Sequence, residues 1–366
     1  MERSTPPYRA DQVGSFLRTA PLKDARARRE TNAIGADVLK RIEDAEIVKL
    51  IGKQEAAGLQ AVTDGEFRRA YWHYDFFEGL DGVEGRNDAT IQFKGVTTKP
   101  KAMHVTGRIG FPKTHPMLDH FRFVKANTHA TAKMTIPSPS MLYYRGGRGM
   151  FETGLYGDLA AYYADMGAAY AGAVAAFGAA GCEYLQLDDV SFAYFCDTEQ
   201  RKMLKARGDD PDEQMERNIE MINAAVANKP VNMTATMHLC RGNFRSTFIA
   251  SGGYEPVADA LFNRVNVDGY FMEWDTERAG GFEPLRFLPK GKTAVLGLVT
   301  TKTGQMEKKD DLKRRIDEAA KFAPLDRLCL SPQCGFASTE EGNTIAEDEQ
   351  WRKLELVVET AREVWG

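Results

Sequence analysis

The sequence has few cysteines, no long apolar run and no large excess of charge of either sign. It contains five cysteines in 366 residues, and its formal net charge at pH 7 is -4. Widely spaced cysteines in a chain of this size argue against a disulfide framework. No stretch reaches the ~18 apolar residues of a membrane span, and we expect no signal peptide at the polar N-terminus. The basic residues are scattered, which argues against nucleic-acid binding. These absences leave small-molecule chemistry in the cytoplasm as the expected class.

The apolar residues form short strand-like segments that alternate with amphipathic helical ones. The strand-like segments are 10–16, 60–64, 131–137, 183–189, 231–238, 268–274, 293–299 and 327–333. The predicted helices are 36–57, 157–180, 211–227, 255–263, 310–322 and 347–364. Eight strands that alternate with helices indicate a parallel sheet that closes. We therefore predict an α/β fold, a single (β/α)8 TIM-type barrel formed by residues 1–366.

Local signals support some helix ends, and one segment departs from the alternation. Asp210 before Pro211 is typical of a helix start, and Gly58 and Gly181 lie where helices are expected to end. The segment 86–125 lacks the repeating pattern. We interpret it as an excursion from the barrel, with a β-hairpin near the barrel mouth.

Possible metal ligands lie at or just after the ends of three predicted strands. These residues are His238, Cys240, Glu273 and Cys334. Because barrel active sites form at the carboxyl ends of the strands, these side chains are expected to meet. Zinc prefers nitrogen and sulfur donors, and a zinc-bound thiol loses its proton near neutral pH. The residues therefore favour a catalytic Zn²⁺ site that activates a thiol. The alternatives are that they are ordinary core and surface residues, or that the zinc is structural, although the C-x-x-C pairs typical of structural sites are absent.

Six short motifs cover nearly the whole chain. They are VGSF at 13–16, TDGEF at 63–67, QLDD at 186–189, MHLC at 237–240, FMEW at 271–274 and SPQCG at 331–335. In this order they resemble the catalytic barrel of the cobalamin-independent methionine synthase family. The resemblance implies that His238, Cys240, Glu273 and Cys334 are zinc ligands. It also implies that Ser15, Glu66 and Asp188 bind homocysteine.

The side of the site that receives the methyl donor departs from the family. The segment 136–144, IPSPSMLYY, replaces a family strand that is followed by a pterin-binding tryptophan. Thr300 and Lys302 stand where the family has an Asp and a His that protonate the leaving group, so Lys302 is our candidate acid. We also expect no second, N-terminal barrel. The aromatic residues at 71–77 are interpreted either as a stacking surface for a flat donor or as core.

The predicted function is zinc-dependent methylation of homocysteine to methionine, with Glu66, Asp188 and Lys302 as catalytic residues. The donor is 5-methyltetrahydrofolate or another methyl compound, and the sequence leaves a homo-oligomer open. One alternative keeps the zinc but alkylates a different thiol, such as a coenzyme thiol that attacks an epoxide. Another is a metal-independent decarboxylase of the same barrel superfamily, which would use the arginines Arg68, Arg69, Arg241 and Arg245. A third is a zinc-binding protein without enzymatic activity.

Overall fold

The structure, a computed structural model, describes residues 3–87, 91–93, 96–98 and 101–366. The strands are β1 (Ala61–Val62), β2 (Asp81–Arg86), β3 (Ile91–Phe93), β4 (Val96–Thr98), β5 (Ala102–Gly110), β6 (Thr131–Pro137), β7 (Tyr184–Asp189), β8 (Thr234–Leu239), β9 (Gly269–Glu273), β10 (Thr293–Val299) and β11 (Leu328–Pro332). The helices are α1 (Ala20–Glu30), α2 (Ala36–Ala56), α3 (Tyr74–Phe77), α4 (Pro116–Ala126), α5 (Ser140–Gly146), α6 (Leu159–Ala179), α7 (Ser191–Phe195), α8 (Thr198–Ala206), α9 (Pro211–Val226), α10 (Glu255–Arg264), α11 (Lys309–Ala320) and α12 (Glu347–Trp365).

Seven parallel strands form one curved sheet in the order β1-β6-β7-β8-β9-β10-β11. The segment 10–16 lies between the two outer strands of this sheet. Ala10 forms a parallel bridge with Leu330 of β11, and Ser15 forms one with Gly65, just after β1. The segment therefore occupies the eighth position and closes the sheet, which confirms the predicted TIM-type barrel. It pairs only through isolated bridges, because Gly14 has a φ of +142° and packs too closely against β6 for any Cβ.

Large apolar side chains fill the interior of the barrel. Tyr184, Phe271 and Val295 come from three strands and are almost fully buried in one cluster. The ammonium of Lys133, itself buried, lies 4.7 Å from the Tyr184 ring centroid and 4.1 Å from that of Phe271. An ion pair to Asp11 at 3.3 Å compensates this buried charge. The interior of the barrel is thus a packed core, and in barrels of this kind ligands bind at the mouth.

The helices surround the barrel close to their predicted positions. Asp210 caps α9 by accepting a hydrogen bond from the Asp212 N–H at 2.8 Å. Gly58 and Gly181, with φ of +87° and +84°, follow α2 and α6 as left-handed residues. Among the described residues, no helix combines the length and apolar character that crossing a membrane needs.

The excursion from the barrel is present, with different bounds from the predicted 86–125. β2 pairs antiparallel with β5, and β3 pairs antiparallel with β4, so the strands run from Asp81 to Gly110. Residues 88–90, 94–95 and 99–100 of the predicted segment lie outside the described residues. The end of the prediction was wrong, because Pro116–Ala126 is the barrel helix α4 that precedes β6. The spacing of its buried residues, among them Phe121 and Val124, is helical.

Candidate active site and metal centre

Four side chains that could hold a metal ion meet at the mouth of the barrel. They are His238 near the end of β8, Cys240 just beyond it, Glu273 at the end of β9, and Cys334 after β11. One ligand atom from each lies within 4.8 Å of the other three, and all four residues are buried. The two sulfurs are 3.5 Å apart and form no disulfide. His238 and Cys334, which are 96 positions apart in the sequence, thus converge because parallel strands end at the same rim of the barrel.

Hydrogen bonds from neighbouring groups hold Cys240 and Glu273, whereas His238 has no hydrogen-bond partner. The Gly242 N–H donates to Cys240 Sγ at 3.3 Å. Glu273 accepts from the Arg241 N–H at 2.8 Å and from the Arg278 guanidinium at 2.7 Å. Neither ring nitrogen of His238 has a hydrogen-bond partner, although the side chain is buried. A buried imidazole without a partner is unfavourable, and a metal ion would satisfy one nitrogen.

The hydrogen bonds and charges of the cluster favour ionisation of Cys334 and Glu273 and disfavour that of Cys240. A hydrogen bond from Cys240 stabilises the Cys334 thiolate, so the pKa of Cys334 lies well below its usual value. The same contact, together with burial, raises the pKa of Cys240. Burial alone would raise the pKa of Glu273, but the charges of Arg278 and Lys302 outweigh it and lower that pKa. The Cys334 thiolate and the Glu273 carboxylate therefore supply negative charge to the cluster, which suits a divalent cation.

A cleft of about 620 Å³, part of it open to solvent, lies next to this cluster. Its walls include His238, Cys240 and Cys334, and they also include three residues predicted to bind a substrate. Those three are Ser15, Glu66 and Asp188. The structure thus brings the predicted substrate-binding residues and three of the four predicted ligands to one cleft.

Glu66 is held in a tight turn that directs its carboxylate into the cleft. Gly65 and Glu66 both have positive φ, +66° and +60°, and the second value is unusual for a residue with a side chain. The Asp64 carboxylate accepts from the Glu66 N–H at 2.8 Å and stabilises the turn. Glu66 Oε1 accepts from Thr135 at 3.2 Å, whereas Oε2 is buried and has no partner. An unusual backbone that places an unpaired carboxylate oxygen in a cleft is typical of a functional site.

Asp188 and Ser15 also line the cleft. Asp188 pairs in register with His238 on the neighbouring strand and accepts from Gln186 at 2.7 Å. Burial raises the pKa of Asp188 to about 7. Ser15 Oγ accepts from the Ala337 N–H at 3.3 Å, and a Cβ at Gly335 would lie only 1.9 Å from this oxygen. Glycine is therefore required at position 335 for Ser15 to occupy its place.

Lys302 lies outside the lining of the cleft. Its ammonium donates to Asn243 Oδ1 and to the Thr247 carbonyl, both at 3.0 Å, and it is buried. These contacts hold the loop that follows β8. Thr300, the other residue at the predicted donor side, donates its N–H to Glu307 at 2.8 Å.

The four arginines considered for a decarboxylase do not line the cleft as the structure describes it. Arg68 forms ion pairs with Glu43 and Asp44, and Arg69 donates to the Thr135 carbonyl. The guanidinium of Arg241 packs over the Tyr254 ring at 4.3 Å.

The aromatic residues at 71–77 divide between the core and the cleft. Phe76 and Phe77 are fully buried core residues, and Tyr74 packs beside them. Tyr71 and Trp72 are partly exposed and line the cleft. The core interpretation is therefore confirmed for Phe76 and Phe77, whereas stacking on a donor stays a prediction for Tyr71 and Trp72.

Sequence reasoning missed two further residues of the cleft, His73 and Arg145. His73 was hidden inside the aromatic run, and its position next to Trp72 was the available signal. Arg145 lies on α5, just beyond the segment 136–144 where the sequence departs from the family. That departure was the signal for Arg145.

Comparisons with known proteins agree with this geometry. The family described as "Cobalamin-independent synthase, Catalytic domain" matches residues 9–363. Uncharacterized protein YxjG of Bacillus subtilis is 49% identical over all of this chain and 97% of its own length. A crystal structure from Listeria monocytogenes, of a protein assigned to the vitamin-B12 independent methionine synthases, is 41% identical with a TM-score of 0.81, and the match covers both chains fully. A 5-methyltetrahydropteroyltriglutamate–homocysteine methyltransferase of Bacillus licheniformis is 24% identical over 97% of this chain and 42% of its own length.

Proposed function

The chain belongs to the family of cobalamin-independent synthase catalytic domains, and from this premise we propose that it is a zinc-dependent enzyme that methylates homocysteine to methionine. One observation carries the proposal: a His, Glu and two Cys cluster adjoins a cleft that also holds two buried carboxylates. The name of the Bacillus licheniformis relative includes homocysteine as an acceptor. The five unpaired cysteines favour a reducing compartment, so we place the enzyme in the cytoplasm.

The four clustered residues suit zinc in donor type and number. Two sulfurs, one imidazole and one carboxylate form a four-ligand set, and catalytic zinc sites exchange one ligand for substrate. Zinc held there would keep a coordinated thiol ionised near neutral pH. Glu273 is the ligand best placed to leave, because Arg278 and the Arg241 N–H already accommodate its carboxylate without a metal.

The chain's own residues would select and orient homocysteine. The unpaired Glu66 oxygen and the Asp188 carboxylate suit the substrate ammonium. Ser15 and neighbouring N–H groups suit its carboxylate, as charge-assisted hydrogen bonds require. With both charged groups held there, the sulfur would be free to approach Cys240 and Cys334, which line the same cleft. Such positioning would raise the rate of methyl transfer, because the thiol is already held in the reactive geometry.

In this proposal Lys302 is a positioning residue and no longer the candidate acid. We expect it to act as a positioning residue, because its ammonium holds the loop that contains Asn243 and its charge lowers the pKa of Glu273. A direct proton transfer to the leaving group would require that ammonium to leave its acceptors.

The test is production of methionine by zinc-loaded protein from homocysteine and methyl iodide, a neutral donor that needs no binding site of its own. We expect the enzyme to methylate homocysteine faster than the uncatalysed reaction does. The methylation of 2-mercaptoethanol at equal concentration, followed by the loss of its free thiol, should be no faster with the enzyme than without it. If 2-mercaptoethanol reacted as fast as homocysteine, the enzyme would be an alkyltransferase for a different thiol. If neither thiol reacted faster than in solution, the proposal of thiol activation would be wrong.

A further inference from the structure

His73 is a buried polar side chain whose hydrogen-bonding groups are unused. Only 2% of its surface is exposed, it lines the cleft, and neither ring nitrogen has a hydrogen-bond partner. Its ring lies between those of Trp72 and Tyr74, at centroid distances of 4.3 and 3.8 Å. These ring contacts hold the imidazole in place and use neither of its nitrogens. Such unsatisfied buried groups in a cleft indicate a ligand.

Arg145 brings a positive charge to the same cleft. It is half-buried on α5, its Nε is buried without a partner, and its guanidinium lies 5.7 Å from the Tyr194 ring centroid. In the described part of the chain, no carboxylate lies within ion-pair distance of it. Burial, and secondly the nearby charge of Arg145, hold the pKa of His73 well below its usual value. His73 is therefore a neutral imidazole next to a guanidinium.

The proposed binding of homocysteine makes no use of these two residues. Glu66 and Asp188 are suited to the ammonium, and Ser15 is suited to the carboxylate. An N–H donor and a cation with no carboxylate partner among the described residues therefore remain in the cleft, with the partly exposed ring of Trp72 beside His73. Two neighbouring donors of this kind form hydrogen bonds to an anion, and an aromatic surface favours a flat or apolar group.

We propose that His73 and Arg145 form an anion subsite that binds a negatively charged group of the methyl donor, with a flat part of the donor against Trp72. This inference rests on the proposed function, since it assigns the second substrate of the same reaction to a chemical class. That class is a methyl carrier bearing a carboxylate or phosphate near a planar group.

The experiment compares two flat probes that differ in charge, 2-naphthoate and 2-naphthamide. Their dissociation constants are measured by ligand-observed NMR on zinc-loaded enzyme saturated with homocysteine. We expect wild type to bind the naphthoate at least tenfold more tightly than the amide. Arg145→Gln and His73→Phe should each remove most of that preference, and His73→Gln, which keeps a side-chain N–H, should retain part of it.

His115→Phe is the matched control. His115 is also buried and packed among aromatic rings, but its Nε2 bonds to the Phe76 carbonyl and its Nδ1 accepts from the Met117 N–H. This variant should lose stability and keep the preference for naphthoate. The inference is wrong if wild type shows no such preference, if His73→Phe and Arg145→Gln keep it, or if His115→Phe loses it equally.

Two further measurements distinguish a failure of this inference from a failure of the proposed function. The naphthoate should leave the dissociation constant of homocysteine unchanged, and direct competition would assign the anion subsite to the first substrate and refute its role in donor binding. Methylation of homocysteine by methyl iodide, a donor without an anionic group, should proceed in wild type whether or not wild type prefers the naphthoate. Failure of that reaction in wild type would refute thiol activation, whereas the naphthoate preference would still be measurable.

Discussion

Replacing Glu66 by Gln should weaken homocysteine binding without removing the metal. Glu66 Oε2 is buried and unpaired, whereas Oε1 accepts from Thr135, a bond that the Gln carbonyl can keep. The substitution therefore removes the negative charge of the side chain, and with it the ion pair with Arg69 at 3.6 Å, but changes the shape of the side chain little. A hydrogen bond to a charged partner contributes about 2–3 kcal/mol when it is buried. At 1.4 kcal/mol for each tenfold change, the dissociation constant should rise about 30- to 150-fold.

Titration calorimetry of zinc-loaded protein measures this effect directly. A second ligand, 4-mercaptobutyrate, is homocysteine without its amino group and should bind wild type and Glu66→Gln equally. Glu43→Gln is the matched variant, because Glu43 is also a buried carboxylate that pairs with an arginine, Arg68, but it lies outside the cleft. A Glu66→Gln dissociation constant within threefold of wild type would refute the assignment of Glu66 to the ammonium. An equal loss with 4-mercaptobutyrate would refute it as well.

Four further substitutions test the metal ligands, the position of Ser15 and the core. Cys240→Ser and Cys334→Ser should each lose zinc in metal analysis while circular dichroism remains that of wild type, because the barrel core does not depend on the metal. Gly335→Ala should raise the dissociation constant of homocysteine at least tenfold, since its Cβ would occupy the place of Ser15 Oγ. Phe76→Ala, at a fully buried position, should lower the free energy of unfolding in urea by about 3–5 kcal/mol.

For each of these substitutions, one result would contradict the prediction. Full zinc occupancy in both serine variants would remove the two cysteines from the ligand set. Cys196→Ser serves as their control, because Cys196 is half-buried and bonds only to the Phe192 carbonyl. Unchanged homocysteine binding in Gly335→Ala would show that Ser15 does not contact the substrate. A loss below 1 kcal/mol in Phe76→Ala would mean that the aromatic segment is not part of the core.

The regular elements of the fold could be predicted because their periodic patterns are local. The predicted strand 131–137 agrees with β6 at both ends, and the predicted helix 211–227 agrees with α9 to one residue. The segment 10–16 was predicted as a strand from its apolar residues, but its pairing depends on two strands far away in the chain. Helix α4 was missed because it follows an irregular excursion, which obscured its helical spacing.

The residues of the site could be predicted only where a side chain that can bind a metal or a substrate lies at the end of a predicted strand. His238, Cys240 and Glu273 lie at or next to strand ends, so their meeting follows from the barrel itself. Arg145 and His73 lie on connections, where the sequence does not show which way a side chain points. Lys302 illustrates the same limit, because its bonds to the loop after β8 are long-range contacts without a sequence signal.

The central claim is that the His238, Cys240, Glu273 and Cys334 cluster holds zinc and exchanges a ligand for the sulfur of homocysteine. X-ray absorption at the zinc edge, recorded with and without saturating homocysteine and without any methyl donor, tests this claim most directly. The account predicts two sulfur ligands in the free enzyme, from Cys240 and Cys334, and three in the complex, with the oxygen of Glu273 lost. A sulfur count that stays at two in saturating homocysteine would contradict it.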